Sequence, residues 1–112
     1  MQRLPKRLVD GSQLTAVAAT YYTAGANVLC TISACTLTNT TAGAVSATLY
    51  LVPTGGTAGV ANCILTARVL AAGESFNVGS AIGQTLAAGG TIQGLAGSAA
   101  SITLVASGYE SV

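Results

Sequence analysis

The chain has 112 residues, enough for one domain built around a single core. Apolar residues make up 51% of it and charged residues only 6%, where an ordinary soluble domain carries about a quarter, and the net charge is +1. Its surface must be coated largely by Thr, Ser, Gly, Ala and backbone, with little charge repulsion between copies. That points to a protein whose sides are covered, by copies of itself or by a larger scaffold. No run of about 18 apolar residues exists, which excludes a spanning helix. Four Tyr, one Phe and no Trp are too few for the aromatic girdles of a membrane barrel.

The basic start, Met1-Gln-Arg-Leu-Pro-Lys-Arg7, has the charge of a signal-peptide n-region. The Asp10–Gln13 stretch that follows is too polar for the apolar region such a peptide needs. Without export the three cysteines, Cys30, Cys35 and Cys63, are expected as reduced thiols, and an odd number is a poor disulfide framework. Three of the four basic residues, Arg3, Lys6 and Arg7, precede a composition break near Asp10, and Pro5 argues against a regular element through them. Residues 1–11 are therefore read as an extended arm and residues 12–112 as one β domain.

From Ser12 onward, short β-branched runs are cut by Gly, Asn and Pro. Strands are expected at 20–23 and, more weakly, at 13–18. Val28 to Asn39 changes phase: Val28, Cys30 and Ile32 share one parity, Cys35 and Leu37 the other, as a β-bulge would produce. Ser46 to Val52 alternates cleanly and stops at Pro53. In 62–70, Cys63, Leu65, Ala67 and Val69 oppose Ile64, Thr66, Arg68 and Leu70, and Arg68 marks the second set as the wetter face. Further strands are expected at 74–78, 90–95 and 101–107.

Turn signals separate these runs. Asn39-Thr-Thr-Ala-Gly43 is a tight reversal, and Pro53 to Gly59 a longer loop. Leu70-Ala-Ala-Gly73 recurs as Leu86-Ala-Ala-Gly89, each placing Gly where a turn needs positive φ. No apolar stripe of helical period is present. About seven or eight short antiparallel strands must bury their apolar faces against a second sheet. The fold class is thus all-β, a single antiparallel β-sandwich of immunoglobulin-like or jelly-roll kind, with almost no helix. Many candidate core positions are Ala and Val, so a thin core is expected.

Chemistry has little to work with. The chain has no His, which removes the commonest general base and metal ligand. Its carboxylates are Asp10, Glu74 and Glu110; only Glu74 with Glu110 is conceivable as a pair, and Glu74 reads more simply as a turn-exit residue. Cys30, Cys35 and Cys63 lack a fourth ligand for a closed zinc site and read as small buried hydrophobes. Gly55-Gly56 is not followed by a phosphate-loop Lys, no Gly-x-Ser-x-Gly elbow is present, and Asn39-Thr-Thr41 reads as a turn rather than a glycosylation site. The basic residues are too few, and too poor in neighbouring aromatics, for a nucleic-acid surface. No catalytic residue, cofactor or metal is expected, and neither nucleic acid nor membrane is expected as a partner.

The segments Thr36-Leu-Thr-Asn-Thr-Thr41, Ala47-Thr-Leu-Tyr-Leu-Val-Pro-Thr-Gly-Gly56, Leu70-Ala-Ala-Gly-Glu-Ser75 and Ser107-Gly-Tyr-Glu110, preceded by Tyr21-Tyr-Thr-Ala24, carry a resemblance. In this order they resemble a group of small structural proteins of tailed bacteriophages over most of the chain. The chain departs from that group in its cysteines and in Gly25, where Pro is common. The resemblance implies a β-sandwich of the virion, assembled in the host cytoplasm, with no catalytic motif to carry over. The leading expectation is a capsid decoration (cement) protein associating with itself and with the major capsid protein. The alternatives are a tail, neck or fibre accessory protein and, less favoured, a free-standing adhesin or glycan-binding module. Expected partner-binding residues are Arg3, Lys6 and Arg7 in the arm and Pro53, Gly55 and Gly56 in the loop.

Overall fold

Between Leu29 and Asn39 the strand switches its buried parity: Cys30 and Ile32 point inward before the switch, and Cys35, Leu37 and Asn39 after it. The ladder to the neighbouring strand slips between Ile32 and Ala34, so the expected bulge is present. It lets one 11-residue strand keep apolar side chains on the core face over its whole length.

The computed structural model describes residues 3–111. Its strands are β1 (Arg3–Gln13), β2 (Ala19–Thr23), β3 (Leu29–Asn39), β4 (Val45–Val52), β5 (Cys63–Leu70), β6 (Ser75–Asn77), β7 (Thr85–Leu86), β8 (Thr91–Ala96) and β9 (Ile102–Ser111). Single 3-10 turns stand at Val60–Asn62 and Gly79–Ala81. No helix of the described residues is long and apolar enough to cross a membrane.

The pairings are nested. β1 pairs with β9, β2 with β8, β3 with both β6 and β7, and β4 with β5, all antiparallel. The chain is thus one long hairpin whose apex is the loop between β4 and β5. Rolling it up brings β9 against β3 and β8 against β4. One sheet then runs β1-β9-β3-β6, with β7 also on β3, and the other β2-β8-β4-β5. That order is a jelly roll, which resolves the choice left open by the sequence.

Fully buried Leu14, Ile32, Leu37, Leu49, Leu70, Ile102 and Leu104 fill the space between the sheets. Each contributes about 1.5–3 kcal/mol relative to exposure. The core therefore holds more large side chains than the many Ala and Val suggested. Much of the Ala lies in loops instead, including the paired turns after Leu70 and Leu86. Those turns are alike: Glu74 N–H donates to Ala71 O and Gly90 N–H to Ala87 O, with Gly73 at φ 72° and Gly89 at φ 84°. Both have the type II pattern, which needs a left-handed residue at its third position.

Three expectations are corrected. The first strand of the sheet begins at Arg3, so the division at residue 11 falls inside β1. Pro5 is accommodated because β1 is an edge strand, where a missing N–H need break no ladder bond. Residues 14–18 form no strand, Leu14 serving as a core anchor instead. In β5 the side bearing Arg68 is not simply the wet one: Leu70 is fully buried, whereas Val69 is 62% exposed. Arg68 lies exposed at the open edge, its guanidinium carbon 4.2 Å from the centre of the Phe76 ring.

Candidate functional site

Arg3, Lys6 and Arg7 fall together on β1, and alternation sends them to different sides. Lys6 lies opposite Gly108 in the ladder and reaches the Glu110 carboxylate at 3.4 Å. The same carboxylate accepts a hydrogen bond from Tyr22 Oη at 2.5 Å. Tyr22 belongs to β2, so this group of three ties the edges of both sheets. Burial pushes the Tyr22 phenol well above the usual tyrosine range, and the Glu110 bond adds to the effect. Cys30, on the neighbouring strand, is likewise raised by burial, the Tyr22 hydroxyl working the other way.

On the outer side, the Arg3 guanidinium lies 4.7 Å from the centre of the Tyr109 ring. Arg7 stands 3.8 Å from Asp10 in an exposed pair. An open hollow of about 330 Å³ is lined by Pro5, Arg7, Ser33, Ser107 and Tyr109. Each of the three cations thus has a partner within the chain, one of them from β1 itself.

Pro53, Gly55 and Gly56 form a type II turn: Gly56 N–H donates to Pro53 O at 2.9 Å, with Gly55 at φ 77°. The Thr54 hydroxyl bonds Ala88 O, fixing this turn to the one before β8. Further on, Asn62 accepts from Gly59 N–H at 3.1 Å and donates to Thr57 O at 2.8 Å. The loop is thereby held from both ends and presents Val60 at 99% exposure. Beneath it an open groove of about 590 Å³ is lined by Leu29, Leu51, Pro53, Ile64, Gln84 and Leu86, among others. Ser111 pairs with both Arg3 and Leu29, which places the start of β1 at the same end of the sandwich as this groove. The two expected groups share an end without merging into one pocket.

No family model matches the chain, and no curated protein does. Among solved structures, the infectious bursal disease virus VP2 subviral particle is similar with a TM-score of 0.43 and 21% identity, over 97% of this chain and 32% of that one. The structure of the infectious bursal disease virus Gx strain is similar with a TM-score of 0.37 and 19% identity, over 99% of this chain and 37% of that one. The chain spans about a third of the length of these solved chains.

The other sequence candidates stay apart. Glu74 caps its own turn, accepting from Ala71 N–H at 2.7 Å, beside the end of β3; Glu110 pairs with Cys30 near its start. Cys30 and Cys35 are buried on β3, while Cys63 lies at the groove. No three His, Cys, Asp or Glu side chains converge among the described residues. Asn39 is fully buried, which leaves its amide out of reach of a modifying enzyme.

Sequence reasoning missed the partners Tyr22, Tyr109 and Glu110. The run was expected to end at residue 107, yet β9 continues to Ser111. The alternation of Ser107, Tyr109 and Ser111 against Gly108 and Glu110 was the signal available. It was hidden because a Gly followed by a Tyr-Glu pair looks like a strand end.

Proposed function

We propose that the protein is a non-enzymatic structural subunit of a virus particle, a decoration (cement) protein that seats on the major capsid protein of a phage head and against its own copies. The observation that carries this reading is where the charge lies. Strands β2, β3, β4, β6, β7 and β8 contain no charged residue at all, while β1 alone holds Arg3, Lys6, Arg7 and Asp10. The outer face of the β1-β9-β3-β6 sheet offers Thr36, Thr38, Thr103 and Val105, and that of the other sheet Tyr50, Gln93 and Leu95. Such neutral faces pack against protein without stripping water from a charge. Left bare, they give little protection against association.

The jelly roll supports the reading by analogy alone, since the architecture recurs in capsid domains, lectins and cupins. The resemblance of the sequence pattern to tailed-phage structural proteins favours the first of these. Arg3 and Arg7 on the outer side of β1 and the Pro53–Gly56 turn are the contacts to the particle. Many weak contacts repeated over a shell add up through multivalency.

The test is co-sedimentation of the purified protein with phage heads and, separately, with tails. Removing residues 1–11 would also remove the core residues Leu8 and Val9, so Arg3→Glu/Arg7→Glu is the informative variant. Binding to heads that weakens at least tenfold in this variant supports decoration. A stable ring or trimer that ignores heads and binds tails overturns it in favour of a tail or neck role.

A further inference from the structure

We propose that β1 is an exchangeable strand: in the assembled protein, residues 3–7 of one copy lie on β9 of a second copy, with Lys6 of the one against Glu110 of the other. The inference rests on the reading of the chain as a self-associating subunit and supplies the contact that joins the copies.

The first block of β1 is separable from the rest. Arg3 through Arg7 are all exposed, and burial begins only at Leu8 and Val9. At that boundary the ladder slips, between Arg7 and Val9, and it slips again between Asp10 and Ser12 around Gly11 at φ 109°. Two bulges in 11 residues give β1 places to bend between its exposed half and its anchored half.

The block is held chiefly by β9. The ladder runs from Arg3 opposite Ser111 to Arg7 opposite Ser107, Lys6 pairs with Glu110, and Arg3 covers Tyr109. A second copy presents the same β9, so reciprocal exchange about a two-fold axis conserves these contacts. The Arg7–Asp10 pair spans the hinge, but it is exposed and worth little. The cost of association opposes exchange, and crowding of copies on a shell favours it. Addition of a further strand to the outer edge of β1 is the competing mode. Pro5 lacks the N–H such a strand would need, and Arg3, Lys6 and Arg7 of facing copies would repel, which favours replacement over addition.

The test uses the wild-type chain. Equal amounts of ordinary and ¹⁵N-labelled protein are unfolded and refolded together, concentrated until oligomers form, and treated with a zero-length carbodiimide that joins Lys6 to Glu110. Exchange predicts that about half of the Lys6–Glu110 cross-links in the oligomer carry one light and one heavy peptide, the statistical share for contacts between copies. Cross-links of like isotope alone, in a sample whose oligomers are verified by mass, overturn the proposal. A charge-swap pair gives a second reading. Lys6→Glu and Glu110→Lys each place like charges together within a chain, and only their mixture restores an opposite pair, between chains. A 1:1 heterodimer from that mixture supports exchange, and a mixture of folded chains that forms none overturns it. Mixed cross-links in a protein that binds no particle sink the virion reading alone; like-isotope cross-links in one that binds heads sink the exchange alone.

Discussion

Tyr22 in β2 donates its phenol hydrogen to the Glu110 carboxylate in β9 over 2.5 Å, so a single side-chain bond joins the two sheets at their β1 edge. Lys6 approaches the same carboxylate from the third strand, at 3.4 Å. Glu110 is largely covered, and its charge is tolerable there because both neighbours are donors.

Tyr22→Phe keeps the ring and removes the bond. The variant should lose about 2 kcal/mol of stability in urea titrations, the range for a hydrogen bond to a partly buried charge. Glu110→Met, which removes the acceptor, should lose at least as much, and its combination with Tyr22→Phe less than the sum, since both changes remove the same hydrogen bond. Additive losses would show that the two side chains act independently.

The thiols set an alkaline limit. Burial pushes Cys35 up to about 11 from its ordinary 9.0, and Cys30 rises for the same reason. The folded chain holds these protons while the unfolded chain releases them. Stability from this source is therefore complete below pH 9 and drains away as pH climbs from 9 toward 11. For Cys35 alone the loss should reach about 2–3 kcal/mol. Urea midpoints at intervals from pH 7 to 11, under reducing conditions, should fall more steeply in the wild type than in Cys35→Ala. Parallel curves would rule the thiol out as the cause.

The bulge in β3 and the twin turns after Leu70 and Leu86 were legible because parity and Gly position are local signals. The strand order was not, since nesting β1 on β9 and β4 on β5 depends on contacts between chain ends. Two local readings misled for the same reason. Pro5 and three cations looked like a free arm, but an edge strand tolerates both. Arg68 looked like a marker of solvent, but it shares its side of β5 with buried Leu70 and lies over Phe76 at the open edge. The clustered cations Arg3, Lys6 and Arg7 were visible by composition, whereas the side chains they meet, Tyr109 and Glu110, and Tyr22 beside them, became visible only through register.

Asn39 is a polar residue with no exposure, and it uses its full bonding capacity. Its Nδ2 donates to Gly43 O at 2.8 Å and Leu70 O at 3.0 Å, while Oδ1 accepts from Thr41 N–H at 3.0 Å and the Thr41 hydroxyl at 2.7 Å. It therefore fixes the turn after β3 and fastens it to the end of β5. Asn39→Ala takes the side-chain donor from the buried Leu70 O and the acceptor from Thr41, and should cost about 3 kcal/mol. Asn39→Asp should be no better, because the carboxylate cannot donate to Leu70 O or Gly43 O. Thermal melts of both variants check this, and an Asp variant as stable as the wild type would mean those two bonds contribute nothing.

Gly108 sits where β1, β9 and β3 run side by side, opposite Lys6 on one flank and Ile32 on the other. A Cβ there would stand 2.1 Å from Thr31 O and 3.0 Å from its carbonyl carbon. Backbone in mid-sheet cannot step aside without opening the ladder, so Gly108→Ala should cost more than about 3 kcal/mol. Gly94→Ala is the control: its nearest obstacle is Leu49 Cδ2 at 2.7 Å, the end of a side chain that can turn, although Thr48 O lies at 3.0 Å. The Gly108 variant should be the less stable of the two. It should also lose its hold on β1, because the displaced β9 segment carries Glu110 and Tyr109. Limited trypsin digestion reads that second effect directly, as faster cleavage after Arg3, Lys6 and Arg7 in Gly108→Ala than in Gly94→Ala at matched fractions folded. Equal cleavage rates would mean that β1 is held by something other than its register on β9.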